Sequence, residues 1–415
     1  MKTKPIFILI YLFLFPLAVS IYSSAELSLI SYPRFSSLTN GVSNYNITQS
    51  VTYQLEINFS LTHNSGPGYY IFKFARLNNR IPDSPLTQYC PPYQESTLLY
   101  NSISGNKPTE TMLGHYDKFN NTFDSFNASL LSEQKVKLDQ KYQIKLNEIR
   151  FDEILNSEIG NYDTSDYIFE LYCNNSEPYY ERDDPSLISV SNSIVNQNDS
   201  PVVKAEKIYN WVSDYLTYTE GLPAQEKGAL WAYNHAQGDC SEYSSLMITL
   251  LRIQGIPARK VMGFVISNDP SIQPKMGDTW NFYSSNSGSD VLGHAWVEYY
   301  VPNIGWIACD PTWSKNVDYF NRIDYLRFTV TIGANFFFPP SDTISEFANP
   351  IFSYPISASF EFAYNVKITV IDTDLIPSNP FPLIPVMIIV GIFSIVIIIV
   401  IVIIKKKRKK KTYNY

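Results

Sequence analysis

Gly293-His294-Ala295-Trp296-Val297-Glu298-Tyr299-Tyr300-Val301-Pro302-Asn303-Ile304-Gly305-Trp306-Ile307-Ala308-Cys309-Asp310 reads as two strands around a turn. Residues 295–301 and 306–310 are rich in aromatic and β-branched side chains, and Pro302-Asn303-Ile304-Gly305 is a turn signal between them. A hairpin centred on residue 302 sets His294 opposite Asp310. Directly opposed residues share a face, with Cβ atoms about 4.5–5.5 Å apart, whereas a one-residue slip separates them onto opposite faces. An imidazole oriented by a carboxylate is a general-base device, and it needs a nucleophile.

Gly238-Asp239-Cys240-Ser241-Glu242-Tyr243 supplies one. A helix is expected from Cys240 to about Gln254, ended by Gly255 and Pro257, with an apolar stripe of Tyr243, Leu246, Met247, Leu250 and Leu251. A helix N-terminus carries partial positive charge and free N–H groups, which favour a thiolate and can hold an oxyanion. The other histidines, His63, His115 and His235, have no comparable setting. Upstream, Asp184-Pro185 and Ser200-Pro201 read as helix starts. Strands are expected at 260–266 and 328–332. Helices followed by an antiparallel sheet make an α+β unit.

N-terminal to this unit the pattern is β-rich. Residues 51–61 alternate apolar and polar, Gly66-Pro67-Gly68 is a turn, and 69–74, 135–146 and 167–173 read as further strands of an antiparallel sandwich. Cys90 and Cys173 are either bridged within it or buried free thiols. Residues 333–375 read as additional strands.

Three blocks together resemble the transglutaminase-like superfamily of papain-type Cys-His-Asp proteins. They are 238–243 running into Gly255-Ile256-Pro257-Ala258-Arg259, then Gly293-His294-Ala295-Trp296-Val297-Glu298, then Gly305-Trp306-Ile307-Ala308-Cys309-Asp310-Pro311-Thr312. The resemblance, of the prokaryotic membrane-anchored surface type, implies a papain-like core behind a β-sandwich-like domain. It implies Cys240 as nucleophile, His294 as base and then acid, and Asp310 as orienting partner. It also implies cleavage or transfer of peptide, isopeptide or glutamine side-chain amides through a thioester. Asn234 and Gln237 are candidates for a second oxyanion donor beside the Cys240 N–H. Arg259 is expected in a bracing ion pair, Trp296 and Trp306 in the core, and Cys309 facing away from the site. A cross-linking transglutaminase and a non-catalytic surface protein on the same fold are the alternatives. No cofactor is expected, and no clustered ligand set suggests a metal.

The ends of the chain add expectations about location. Of 415 residues, 17% are charged and the formal net charge is −7. Seven cations fall in 405–411 and two in 1–4, leaving 23 basic against 39 acidic residues in the body. Basic residues gathered in a tail rather than a patch argue against nucleic-acid binding. Residues 1–20 read as a signal peptide or an uncleaved anchor, 383–404 as a transmembrane helix, and 405–415 as a cytoplasmic basic tail. Between them lie the β-rich domain 26–180, the catalytic core 185–332 and a β-rich segment 333–376. This layout predicts a single-pass cell-membrane protein of archaeal type, its ectodomain outside and acting on extracellular protein or peptide. Sequons at Asn46, Asn58, Asn120, Asn127, Asn174 and Asn198 are candidate glycosylation sites.

Overall fold

Val51, Tyr53, Leu55, Ile57, Phe59 and Leu61 are all buried, and polar residues alternate with them. This period of two makes strand β1, Tyr45–Ser65. The computed structural model describes residues 45–81, 89–106, 108–151, 153–222, 226–313, 318–333, 335–336, 348–349 and 352–375. After β1 come β2 (Tyr69–Ala75), β3 (Gln94–Gly105), β4 (Glu110–Tyr116), β5 (Thr122–Ser129) and β6 (Lys135–Phe151). Helices α1 (Tyr167–Tyr172), α2 (Pro185–Ile194), α3 (Pro201–Tyr215), α4 (Ala229–His235) and α5 (Cys240–Ile253) follow. Then come β7 (Ala258–Val265), β8 (Thr279–Ser285), β9 (Gly293–Val301), β10 (Gly305–Cys309), β11 (Arg327–Ile332) and β12 (Ser359–Asp374).

Three sheets organise these strands. One runs β8-β12-β1-β6, with β3 also on β6. A second contains β2-β5-β4, and the third runs β10-β9-β7-β11. Two apolar cores result. One lies between the sandwich sheets and takes in Phe264, Phe328 and Val330 from the third sheet. The other packs α2 to α5 against β7, β9 and β10.

Both edges of the third sheet are covered by residues from the N-terminal half. On the β10 edge, Trp306 N–H donates to the Tyr89 carbonyl at 2.8 Å, and Ala308 N–H to the Tyr93 hydroxyl at 2.9 Å. On the β11 edge, Thr329 N–H donates to the Gln94 side chain at 2.9 Å, and Ile332 N–H to that of Asn121 at 2.8 Å. Open strand edges are templates for foreign pairing, and here they are filled from within the chain.

The helix starts follow from capping. Asp184 and Ser200 are N-caps whose side chains accept backbone N–H groups, each with Pro at the start of the helix. Residues 167–173, expected as a strand, form α1 instead. Asp166 caps it by accepting from the Ile168 N–H, and Phe169 and Tyr172 are buried at helical spacing. A local cap with matching burial outweighs the β propensity of an aromatic run.

The fold is mixed α+β, and the expected transmembrane element requires correction. Among the described residues no helix is long and apolar enough to cross a membrane. The longest, α3, has 15 residues, carries Lys204, Glu206, Lys207 and Asp214, and buries one face only. About 20 apolar residues would be needed to span. The described residues therefore supply no helix for the single-pass localisation, the membrane-anchored partnership or the ectodomain reading that depended on it. Residues 1–20, 383–404 and 405–415 lie outside the described residues.

Candidate active site

Cys240 is the first residue of α5, half-buried, and Asp239 is its N-cap. The Asp239 side chain accepts from the Ser241 N–H at 2.8 Å, and the Glu242 side chain returns to the Asp239 N–H at 3.2 Å. Gly238 makes this closure possible, since a Cβ there would stand 2.3 Å from the Glu242 Cβ. The Ala295 N–H on β9 lowers the Cys240 thiol, so that N–H lies near the thiol on the strand that carries His294.

His294 and Asp310 meet. His294 Nε2 is 2.6 Å from Asp310 Oδ2, and both side chains are buried. The hairpin register pairs Val297 with Cys309 and Val301 with Gly305, so it turns about residue 303 rather than 302. The opposed pairs are displaced by two residues from expectation. An even displacement preserves the face, so the pair meets diagonally instead of directly. The His294 ring lies between Trp296 and Trp313, with centroids 6.1 and 5.6 Å away.

The electrostatics differ between the two ends of this array. Burial pushes the Cys240 thiol up, the Asp239 charge adds to that, and the Ala295 N–H pulls against both. The helix start does not leave the thiol acidic by itself. Asp310 goes the other way. Burial would raise it, but His294 and Arg327 outweigh burial and hold it at about 2.

Arg327 was not singled out from the sequence. Its guanidinium is fully buried, donates to Asp310 Oδ2 at 3.1 Å, pairs with Asp324, and lies 4.5 Å from the Trp313 ring centroid. Two charges three apart, Asp324 and Arg327, at the edge of an apolar strand were the only local signal. Gly263, opposite His294 on β7, has no room for a side chain, because a Cβ would stand 1.8 Å from the Phe328 carbonyl oxygen. Gly263→Ala should force β11 away from β7 and cost about 2–3 kcal/mol. Its urea midpoint measures this, and an unchanged midpoint would mean the two strands part freely.

The remaining candidates are dispersed. Gln237 is half-buried on a two-residue strand that pairs Thr217 with Gln237, while Asn234 is exposed on α4. Cys90 and Cys173 are both free, so the candidate bridge is not formed. The Cys90 sulfur accepts from Arg259 at 3.1 Å and Arg80 at 3.6 Å, whereas Cys173 lies against the Arg252 carbonyl at 3.7 Å. Cys309 is buried 3.9 Å from Met247, two turns along α5 from Cys240. Arg259 pairs with Glu298 at 2.8 Å and lies over Trp306 at 3.8 Å, and Trp296 and Trp306 are core. Of the sequon asparagines, Asn46, Asn58, Asn174 and Asn198 are exposed, and Asn120 and Asn127 are half-buried. His63 is bonded to Tyr70, and His235 to the Trp231 carbonyl.

Residues 188–311 match the family profile described as the transglutaminase-like superfamily. Over 114 residues the chain is 31% identical to the uncharacterized protein YebA of Bacillus subtilis, covering 26% of this chain and 15% of that protein. Over 81 residues it is 32% identical to a protein-glutamine gamma-glutamyltransferase of Pseudomonas aeruginosa, covering 20% of this chain and 11% of that protein. The chain thus spans well under two thirds of the length of these relatives. Among solved structures it is similar to a candidate cysteine protease from Cytophaga hutchinsonii, with a TM-score of 0.49 and 16% identity, covering 80% of this chain and 95% of that one. The similarity to the transglutaminase-like superfamily is thus carried by residues 188–311, the stretch that holds Cys240, His294 and Asp310.

Proposed function

We propose that this protein is a thiol enzyme that breaks amide bonds through a thioester on Cys240. The supporting observation is the convergence of three elements: the Cys240 thiol under the influence of the Ala295 N–H, with His294 next in the chain and bonded to Asp310. Since burial disfavours a free thiolate, the thiol proton passes to His294 as the sulfur attacks the amide carbon. Nε2 is committed to Asp310, so Nδ1 receives that proton. The C–N bond then breaks, the same proton goes to the departing nitrogen, and the acyl group remains on sulfur. Water or an amine attacks the thioester and restores the thiol. The Cys240 N–H serves the oxyanion, with half-buried Gln237 better placed than exposed Asn234 as a second donor.

The substrate class is an amide of a peptide, isopeptide or glutamine side chain. Water as acceptor is the leading reading. The name of the Pseudomonas aeruginosa relative favours amine acceptors as the second one. Ammonia release from a glutamine peptide, with and without incorporation of a fluorescent amine, separates the two.

Alkylation tests the nucleophile. Cys90, Cys173 and Cys309 are buried and act as internal controls. Native protein treated with iodoacetamide and mapped by mass spectrometry should be modified at Cys240 at least about tenfold faster than at the other three, with turnover lost in step. His294→Ala should slow that modification. If Cys240 reacts no faster than in denatured chain, and Cys240→Ala keeps its turnover, the proposal is wrong.

A further inference from the structure

Asp310 has two nitrogen-bearing partners, the His294 imidazole and the Arg327 guanidinium. His294 Nε2 and Arg327 Nη2 reach the same oxygen, Oδ2, at 2.6 and 3.1 Å. The other oxygen accepts the Thr312 N–H at 3.1 Å. Arg327 in turn is divided between two carboxylates, because its Nη1 donates to Asp324, which also accepts from the Tyr319 hydroxyl. The Trp313 and Tyr319 rings lie 4.5 and 4.3 Å from the guanidinium and close it off from water. In such a buried setting charges act more strongly on their neighbours than they would in water.

We propose that Arg327 is a positioning residue that fixes the Asp310 carboxylate and, by sharing it with His294, sets the pH at which the imidazole gains its proton. The inference rests on the reading of Cys240, His294 and Asp310 as one array. An imidazolium is stabilised by the negative charge on Asp310. Arg327 neutralises part of that charge, and Asp324 decides how much of Arg327 is available to do so. Other groups around His294 come from the elements packed on β9. They act on the neighbouring Cys240 and Asp310: Asp239 at the start of α5 and Lys260 on β7 act on Cys240, and Cys240 and Asp310 both act on Tyr218 of the short strand beside Gln237. Glu298, four residues along β9, is committed to Arg80 and Arg259. Among the described residues on the Asp310 side, the Arg327–Asp324 pair can be adjusted without touching the nucleophile.

Two substitutions push in opposite directions. Arg327→Met removes the competing cation, so the His294 midpoint should rise by about one pH unit, a tenfold change in the imidazolium ratio. Asp324→Asn frees Arg327 to neutralise Asp310 more fully, so the midpoint should fall by several tenths of a unit. Both are read in the full chain from the carbon-13 resonance of His294, assigned by its loss in His294→Asn. The pH profile of Cys240 alkylation should move its upper limb in the same sense. A role in folding alone would not move the two midpoints apart. If Arg327→Met fails to fold, Asp324→Asn carries the test. A His294 midpoint unchanged in the folded variants overturns the role of Arg327 while leaving the thiol mechanism intact. Loss of the mechanism itself would show as full turnover in Cys240→Ala, whatever His294 does.

Discussion

Glu298→Ala should cost about 3–5 kcal/mol, the largest stability loss expected from any single substitution discussed here. Glu298 is wholly buried, paired with Arg80 through Oε1 and with Arg259 through Oε2, where Nη2 stands at 2.8 Å and Nε at 2.9 Å. Two guanidiniums already share one carboxylate. Removing it leaves two buried cations without a carboxylate, both donating to the Cys90 sulfur. Their desolvation then goes uncompensated, which is why breaking a buried pair costs more than never having built it. The loss should appear as a lower urea midpoint at unchanged slope. Glu298→Gln keeps the shape and one acceptor oxygen and should lose less. A change in the alanine variant below about 1 kcal/mol would mean that water reaches the arginines.

Asp310→Asn should lower amide turnover by about 10³–10⁴-fold while the chain remains folded near neutral pH. An amide in that position can present its N–H to the imidazole and fix the wrong tautomer, and the same exchange in Ser-His-Asp hydrolases costs about 10⁴. Here the effect is compounded, because an asparagine offers Arg327 a weaker acceptor than a carboxylate. The substitution also changes the acid limb of stability. Asp310 is held at about 2 in the folded chain against its ordinary 3.8. A depressed carboxylate stabilises the fold above its unfolded value and loses that contribution as the pH falls through the folded one. The wild-type chain should therefore lose about 2 kcal/mol from this group between pH 4 and pH 2. Asp324 and Glu298 are also lowered and add in the same sense. In Asp310→Asn the Asp310 component is absent, so denaturation curves at pH 4 and pH 2.5 should lie closer together than in wild type. An equal gap in both proteins would show that Asp310 is not what titrates there.

The parts of the site that were legible in sequence are those governed by local rules. Strand parity put His294 and Asp310 on one face, and an error of two residues in register left that intact. Capping chemistry marked the starts of α2 and α3. What local rules missed came from tertiary burial. The helix start suggested an acidic thiol, yet desolvation and the neighbouring Asp239 raise Cys240. Residues 167–173 looked like a strand until Asp166 capped them. Arg80 meets Glu298 across 218 positions of sequence, and Arg327 reaches Asp310 only because β11 lies beside β7. No spacing announces such pairs.

The place of β12 beside β1 has a consequence for how the chain is made. Leu55 pairs with Ile368, and every strand between them emerges before that pairing can form. At about 10 residues per second, β1 waits roughly half a minute for its partner. Until then β6 covers one side of β1 and the other side is an unfinished edge. Non-local pairing of this kind is slow and leaves apolar strands open to the wrong neighbours. The last described strand is therefore a closing step for the first, and whatever shields that edge during synthesis governs how much of the protein reaches its native state.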